Sequence, residues 1–237
     1  MNVIWHDLEC GRYEADLPFW RALAAEWPGP ILDVGAGTGR VALELARAGH
    51  DVTALDIDAE LLAAMEQRAG SVSLATVTAD ARDFELEARF GLVLVPMQTI
   101  QLLGGVGGRA AFLSRARQHL RPGGRLAIAI ADQLEEFEVV AGGPAPLPDV
   151  CELEGTVYSS APTAVRSDGD GFTLERRRET VTATGELMLA EDRIHIDALD
   201  PGDLEQEGQS VGLRVAPRQQ IAPTLDYVGS VVVMFDA

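Results

Sequence analysis

Lysine is absent from this 237-residue chain; all 19 basic residues are arginine. That excludes a lysine base, a Schiff-base lysine, and the tyrosine–lysine pair of one class of oxidoreductases. Cysteine is scarce. Cys10 and Cys151 stand far apart and are too few for a disulfide framework or a zinc set, so free thiols are expected. Positive charge is also short, with 19 basic against 37 acidic residues and a net charge of -18. A surface this acidic repels phosphate backbones and argues against nucleic acid as a partner. The one basic run, Arg176-Arg177-Arg178, lies between Glu175 and Glu179 and reads as a solvated strand face. No apolar run approaches the roughly 18 residues that span a bilayer. The first residues carry no basic segment followed by a long apolar one, so no secretory leader is expected and the cytoplasm is the expected location.

Apolar residues make up 47% of the chain, enough for a sizeable core. The run from Asp16 to Trp27 reads as a helix closed by Pro28-Gly29-Pro30. A regular alternation follows. Strands are expected at 31–34, 51–55, 72–76, 90–95 and 125–131. Helices are expected at 38–48, at 59–68 capped by Asp58, and at 109–120. Strands alternating with helices at this spacing predict a parallel α/β sheet with helices on both faces, and continuous apolar strands such as Leu92–Val95 fit burial on both sides. The second half differs. A breaker-rich link at 141–148 leads into alternating stretches at 156–160, 164–167, 172–182 and 186–196, with hairpin turns at 168–171 and 184–185. An appended antiparallel β segment is therefore expected at 141–196. After a short helix at 203–211, the stretches 214–221 and 230–235 should return to the main sheet as a final antiparallel pair. The expected division is a principal domain of 1–140 and 197–237, with its first residues as a lid, and the appended segment between.

The first strand runs into Asp33-Val34-Gly35-Ala36-Gly37-Thr38-Gly39. Glycines allow positive φ and close approach to a ligand, and the N–H groups of a following helix favour an anionic group. Ligands of open parallel sheets sit beyond the carboxyl ends of the strands. The spacing is Gly-x-Gly-x-Gly, not the Gly-x-Gly-x-x-Gly of dinucleotide binders. Asp56 ends the second strand, where a carboxylate can accept from both ribose hydroxyls or simply cap a turn. Asp80 follows the third strand and can accept from an amino group, or again serve a turn.

Four motifs in this order carry a resemblance: 31–40, Ala54-Leu55-Asp56-Ile57-Asp58, Ala79-Asp80-Ala81-Arg82-Asp83-Phe84, and Leu120-Arg121-Pro122-Gly123-Gly124-Arg125-Leu126. Together they resemble the class I, Rossmann-like S-adenosylmethionine-dependent methyltransferases of the small-molecule type. The resemblance implies a cofactor, S-adenosylmethionine, with S-adenosylhomocysteine as its product, and no metal. It implies that Gly35, Ala36 and Gly37 line the methionine part with Asp33 beneath them. Asp56 would hold the ribose and Ile57 pack on adenine, while Asp80 and Ala81 meet the adenine edge. Met97 and Gln98 would border the sulfonium, and Tyr13 close over the methionine tail.

Methyl transfer asks mainly for alignment, with a general base only where the acceptor must lose a proton. No catalytic constellation stands out; His6 and His195 are the candidates. Arg193, His195 and Asp197 share one strand face, which also reads as plain solvent exposure. His50 and His119 fall at helix ends and are expected at the surface. Pro96-Met97-Gln98-Thr99 departs from the motif of base-amine methyltransferases. With the acidic charge and the appended β segment, this favours a small-molecule acceptor at N or O. A protein or RNA methyltransferase and a non-catalytic cofactor-binding protein are the alternatives.

Overall fold

The two central strands explain the architecture. β1 (Ile31–Val34) and β4 (Phe90–Val95) are buried along their whole lengths, as strands covered on both faces must be. Ile31, Leu92 and Leu94 point into one apolar layer; Leu32, Val34, Val93 and Val95 point into the opposite one. The computed structural model describes residues 2–131, 133–225 and 227–237. The chain divides into two units, Tyr13–Gln133 with Leu199–Ala237, and Met1–Arg12 with Leu134–Ala198.

The first unit is built on a seven-stranded sheet. Its other strands are β2 (Val52–Asp56), β3 (Ala75–Thr78), β5 (Leu120–Ile130), β11 (Arg214–Ile221) and β12 (Ser230–Asp236), in the order β11-β12-β5-β4-β1-β2-β3. The strands β3, β2, β1, β4 and β5 run parallel; β12 is antiparallel to β5 and to β11. This is the Rossmann-like sheet with a closing antiparallel pair that the residue pattern predicts. Helices α2 (Leu17–Glu26), α3 (Ala42–Arg47) and α4 (Ala59–Ala69) supply Trp20, Leu45 and Met65 to one layer. Helices α5 (Gly105–His119) and α6 (Pro201–Ser210) supply Phe112, Leu113 and Leu204 to the other. Asp58 caps α4, its carboxylate accepting from Glu60 N–H at 2.8 Å. Arg109 of α5 grips Glu207 of α6 at 2.7 Å, a pair almost wholly buried.

Several elements start elsewhere than the sequence suggests: α5 begins at Gly105 rather than 109, and β5 at Leu120 rather than 125. Helix α3 begins at Ala42, not Thr38, because 37–41 is a series of turns around the glycines. β3 begins three residues later than expected, since its register with β2 pairs Thr53 with Ala75. His119 is also not a surface residue. It is 5% exposed, accepts Leu86 N–H at Nε2 (2.9 Å) and lies 2.8 Å from Arg115 O through Nδ1.

The second unit is an antiparallel sheet with one helix. β8 (Thr156–Ser167), β9 (Gly171–Val181) and β10 (Leu187–Asp197) form a meander; β6 (Phe137–Glu138) and β7 (Asp149–Leu153) both pair with β8. The stretches at 156–160 and 164–167 are one strand. Pro162 suggests a break, but the ladder continues through a bulge between Pro162 and Ala164. α1 (Asn2–Glu9) groups with this unit, which opens at Leu134, seven residues before the 141 expected from sequence. The reason lies in Arg176 and Arg178. They are not a solvated face: Arg178 bonds both oxygens of Glu9 (2.8 and 2.7 Å) and Asp192 (2.9 Å), and Arg176 bonds Asp149 (2.9 Å). Burial alone would raise the Glu9 carboxyl, but hydrogen bonds from Arg178 and Ser160 and both arginine charges hold it below its usual range. Of the three arginines only Arg177 faces outward, beside Glu179.

Candidate functional site

The glycine turn leaves β1 at its carboxyl end. Gly35, Gly37 and Gly39 all have positive φ. At Gly35 (φ 71) a Cβ would stand 2.5 Å from the Thr99 methyl, so both the backbone and the space require glycine. The expected cradle of open N–H groups is not what forms. Gly35 and Ala36 N–H donate to Leu55 O at 2.8 and 3.1 Å, and Gly37 N–H donates to Asp56 Oδ2 at 2.7 Å. The short helix that follows starts too late to add its own end.

Asp56 is the organising residue. Its Oδ1 accepts Asp58 N–H at 2.9 Å while Oδ2 holds Gly37, and its carbonyl accepts Ala79 N–H at 3.0 Å. One carboxylate thus fixes the glycine turn, the start of α4 and the segment leading to Asp80. Each oxygen keeps a further acceptor site. Beside it, Ile57 is 68% exposed, an apolar shelf at the strand end. Asp80 accepts Arg82 N–H at 2.8 Å and Arg82 Nη2 at 2.6 Å; these hydrogen bonds hold its carboxyl below the usual range. Ala81 is buried.

Asp33 lies on the Ile31 face of β1, inside an apolar layer, 1% exposed, and neither oxygen makes a hydrogen bond of ordinary geometry, although the Ala42 N–H acts on it. Burial pushes its carboxyl up to about 7; Arg40 and the Ala42 N–H oppose the rise, and Asp56 and Asp16 add to it. Tyr13 is buried against Tyr227, with its hydroxyl also unpartnered. Burial, with the nearby Asp16 charge, raises its phenol. Past β4, Met97 adopts positive φ (56), and Gln98 opens a 3-10 turn over Thr99–Leu102.

Some residues here were not picked out from sequence. Arg40 bonds both oxygens of Asp16 and the Tyr13 carbonyl. Gln101, 1% exposed, exchanges two hydrogen bonds with the Ala131 backbone at 3.0 and 2.8 Å, tying the turn after β4 to the end of β5. Arg40 could have been read from its place directly after the glycines; Gln101 gives no local sign.

Residues 31–124 match a family described as "Methyltransferase domain". Over 105 residues the chain is 30% identical to the cypemycin N-terminal methyltransferase of Streptomyces sp, covering 44% of this chain and 43% of that protein. The chain thus spans less than half the length of the curated relatives it matches. The fold is shared with CalS10, an amino pentose methyltransferase from Micromonospora echinaspora (TM-score 0.72, 21% identity, 98% of this chain and 96% of that one). It is shared too with the sugar N-methyltransferase KedS8 from Streptoalloteichus sp ATCC 53650 (TM-score 0.74, 19% identity, 98% and 91%).

One structural observation of the matched segment would suit S-adenosylmethionine. Asp33 is a buried carboxyl with both oxygens unpartnered, suited to a cationic group. The positions expected to hold the cofactor, from Tyr13 to Gln98, all belong to the larger unit. His6 and His195 belong to the smaller one. His6 lies in α1. His195 on β10 is exposed, with Nδ1 3.1 Å from Asp168 Oδ2 and Nε2 3.7 and 3.5 Å from Asp170 and Asp197. The hydrogen bond to Asp168, with these charges, raises its imidazole. Among the described residues, Asp168, Asp170 and His195 are the group whose ligand atoms could share a metal, lying within 4.8 Å of one another.

Proposed function

We propose that this protein transfers a methyl group from S-adenosylmethionine to a nitrogen or oxygen of a small-molecule acceptor by in-line displacement. The unpartnered, buried Asp33 beside the glycine turn carries the reading, because such a carboxylate suits the amino-acid cation of this cofactor. When bound, S-adenosylmethionine supplies an electrophilic methyl on a good leaving group. The chain's own work is to bind and orient. Asp56 offers its remaining acceptor sites to the ribose while it keeps the turn in shape. Ile57 gives the adenine an apolar face. Asp80, whose oxygens also serve Arg82, and Ala81 meet the adenine edge. Met97 and Gln98 border the reacting methyl, and Tyr13 covers the amino-acid tail, excluding water. Asp33 takes the ammonium.

For the acceptor, a nitrogen is the favoured atom. CalS10 and KedS8 act on sugars and the cypemycin enzyme on an N-terminus, and this chain shares the fold of the first two at nearly full length. The smaller β unit, 134–198 with the first twelve residues, supplies acceptor recognition on this reading. His6 and His195 remain its candidate proton acceptors, though the carboxylates around His195 favour its charged form and make it the poorer base.

Calorimetric titration with S-adenosylmethionine, S-adenosylhomocysteine and NAD tests the donor. The two sulfur nucleosides bind and NAD does not; Asp56→Ala weakens binding by at least about tenfold, the scale of one lost charge-assisted hydrogen bond. A wild-type protein that ignores both sulfur nucleosides defeats the proposal. Labelled methyl donor offered with amino sugars, short peptides and RNA then separates the acceptor classes; transfer to RNA alone would overturn the small-molecule reading.

A further inference from the structure

This inference rests on the proposed cofactor. A buried anion ordinarily closes on the nearest cation. Asp33 has not done so: neither oxygen makes a hydrogen bond of ordinary geometry, although Arg40 acts on it as an opposing charge and the Ala42 N–H as a donor. The guanidinium is committed elsewhere. Its Nη1 and Nη2 both bond Asp16, the second at 2.8 Å, and Nη1 also donates to the Tyr13 carbonyl at 2.8 Å. Its carbon lies 5.2 Å from the centre of the Tyr13 ring. Asp16 is itself fixed, 1% exposed and accepting the Trp20 indole N–H at 2.8 Å. A planar guanidinium held by a bidentate carboxylate and an aromatic ring is not free to turn toward a second anion.

We propose that Asp16 withholds Arg40 from Asp33, so that Arg40 lends Asp33 a positive charge without capping it and the Asp33 oxygens stay open for the ammonium of the cofactor. Arg40 and Asp16 are then positioning residues that need not touch the cofactor. The groups acting on Asp33 come from each element around it: Asp16 from the start of α2, Arg40 from the turn, the Ala42 N–H from α3 and Asp56 from β2. Losing the Arg40 charge would drive Asp33 further toward its neutral form. Losing the Asp16 restraint would do the reverse and let Arg40 close on Asp33, filling the place the ammonium needs.

The two residues therefore make opposite predictions, read by S-adenosylhomocysteine titration between pH 6.5 and 8.5. Arg40→Met loses roughly tenfold in affinity at pH 6.5 for each unit by which Asp33 moves up, and recovers most of it by pH 8.5. Arg40→Lys keeps the charge and follows the wild-type pH profile. Asp16→Asn loses about tenfold across the whole range. If Asp16 acted only as a negative charge, its removal would help Asp33 ionise and tighten binding at pH 6.5; tighter binding there overturns the proposal, as does an Arg40→Met profile parallel to wild type. A crystal structure of free Asp16→Asn supplies an arm that needs no cofactor. It should show the Arg40 guanidinium within hydrogen-bond distance of Asp33; a guanidinium still turned away refutes the withholding even if the wild type binds the nucleoside. Conversely, a guanidinium on Asp33 in a protein that never binds S-adenosylhomocysteine upholds the coupling and removes the cofactor reading.

Discussion

Asp33 is costly to the free protein. Its folded pKa of about 7 lies above the ordinary 3.8, so between those values the folded state holds the proton more tightly than the unfolded chain. Stability then falls as pH rises from about 4 to about 7, and the whole penalty is present above 7. Asp33→Asn removes the ionisation. It should stabilise the free protein at pH 8 by roughly 2–4 kcal/mol, an upper range set by the size of the shift, and change little near pH 4, where the carboxyl is neutral in both states. The same variant should lose at least about tenfold in S-adenosylhomocysteine affinity, as a charged partner becomes a neutral one. Urea unfolding at the two pH values checks the first part; an equal effect at both would mean that the carboxylate is not the source. A residue that weakens the empty protein and serves the loaded one is the expected pattern where a site opposes folding.

At the scale of elements, the glycine turn stands on two supports. Gly37 is held by Asp56, and Thr99 of the 3-10 turn fills the space a side chain at Gly35 would need. Gly35→Ala would meet the Thr99 methyl at 2.5 Å and force a left-handed alanine at φ 71. The expected loss is about 2–3 kcal/mol, of which strained backbone supplies roughly 1–2. Adding Thr99→Ala should return the steric part and leave the backbone part, so a double-mutant cycle by chemical denaturation should show coupling of about 1 kcal/mol between the two sites; strict additivity would place the strain elsewhere. This arrangement also marks what can be read from sequence. β1 and β4 were legible because unbroken apolar runs admit little else, and Asp56 because an acid ends the second strand. The parallel sheet followed from strand and helix alternation; the order of its strands did not. The late start of α3 was not legible, since the apolar periodicity of 38–48 runs on through the turns at 37–41. Nor were the bonds that decide the chemistry: Gly37 to Asp56 spans 19 residues, Arg40 to Asp16 spans 24, and no spacing rule reports them. The supposed surface face of Arg176 and Arg178 failed for the same reason, its partner Glu9 lying 169 residues from Arg178.

Across the whole molecule, net charge of -18 coexists with arginines that are largely spent on internal pairs. Each unit keeps its own set. The larger has Arg40 with Asp16 and Arg109 with Glu207; the smaller has Arg176 and Arg178 with Glu9, Asp149 and Asp192, under Trp5, whose ring centre lies 5.3 Å from the Arg178 guanidinium carbon. Removing one partner of a buried pair leaves the other charge uncompensated, a loss of about 3 kcal/mol. Glu9→Gln should therefore lower amide protection in β8 and β9, read by hydrogen exchange, by about that amount. The lowered Glu9 carboxyl sets the pH window. Its contribution is complete above the ordinary value of 4.5 and is lost as pH falls below it through the folded value, so the difference between Glu9→Gln and wild type should shrink in acid. S-adenosylhomocysteine affinity should stay within about twofold of wild type, because none of the residues assigned to the cofactor belongs to this unit. A parallel fall in protection at β1 and β4, or in affinity, would show that the two units open together and that acceptor and donor recognition cannot be varied separately in this chain.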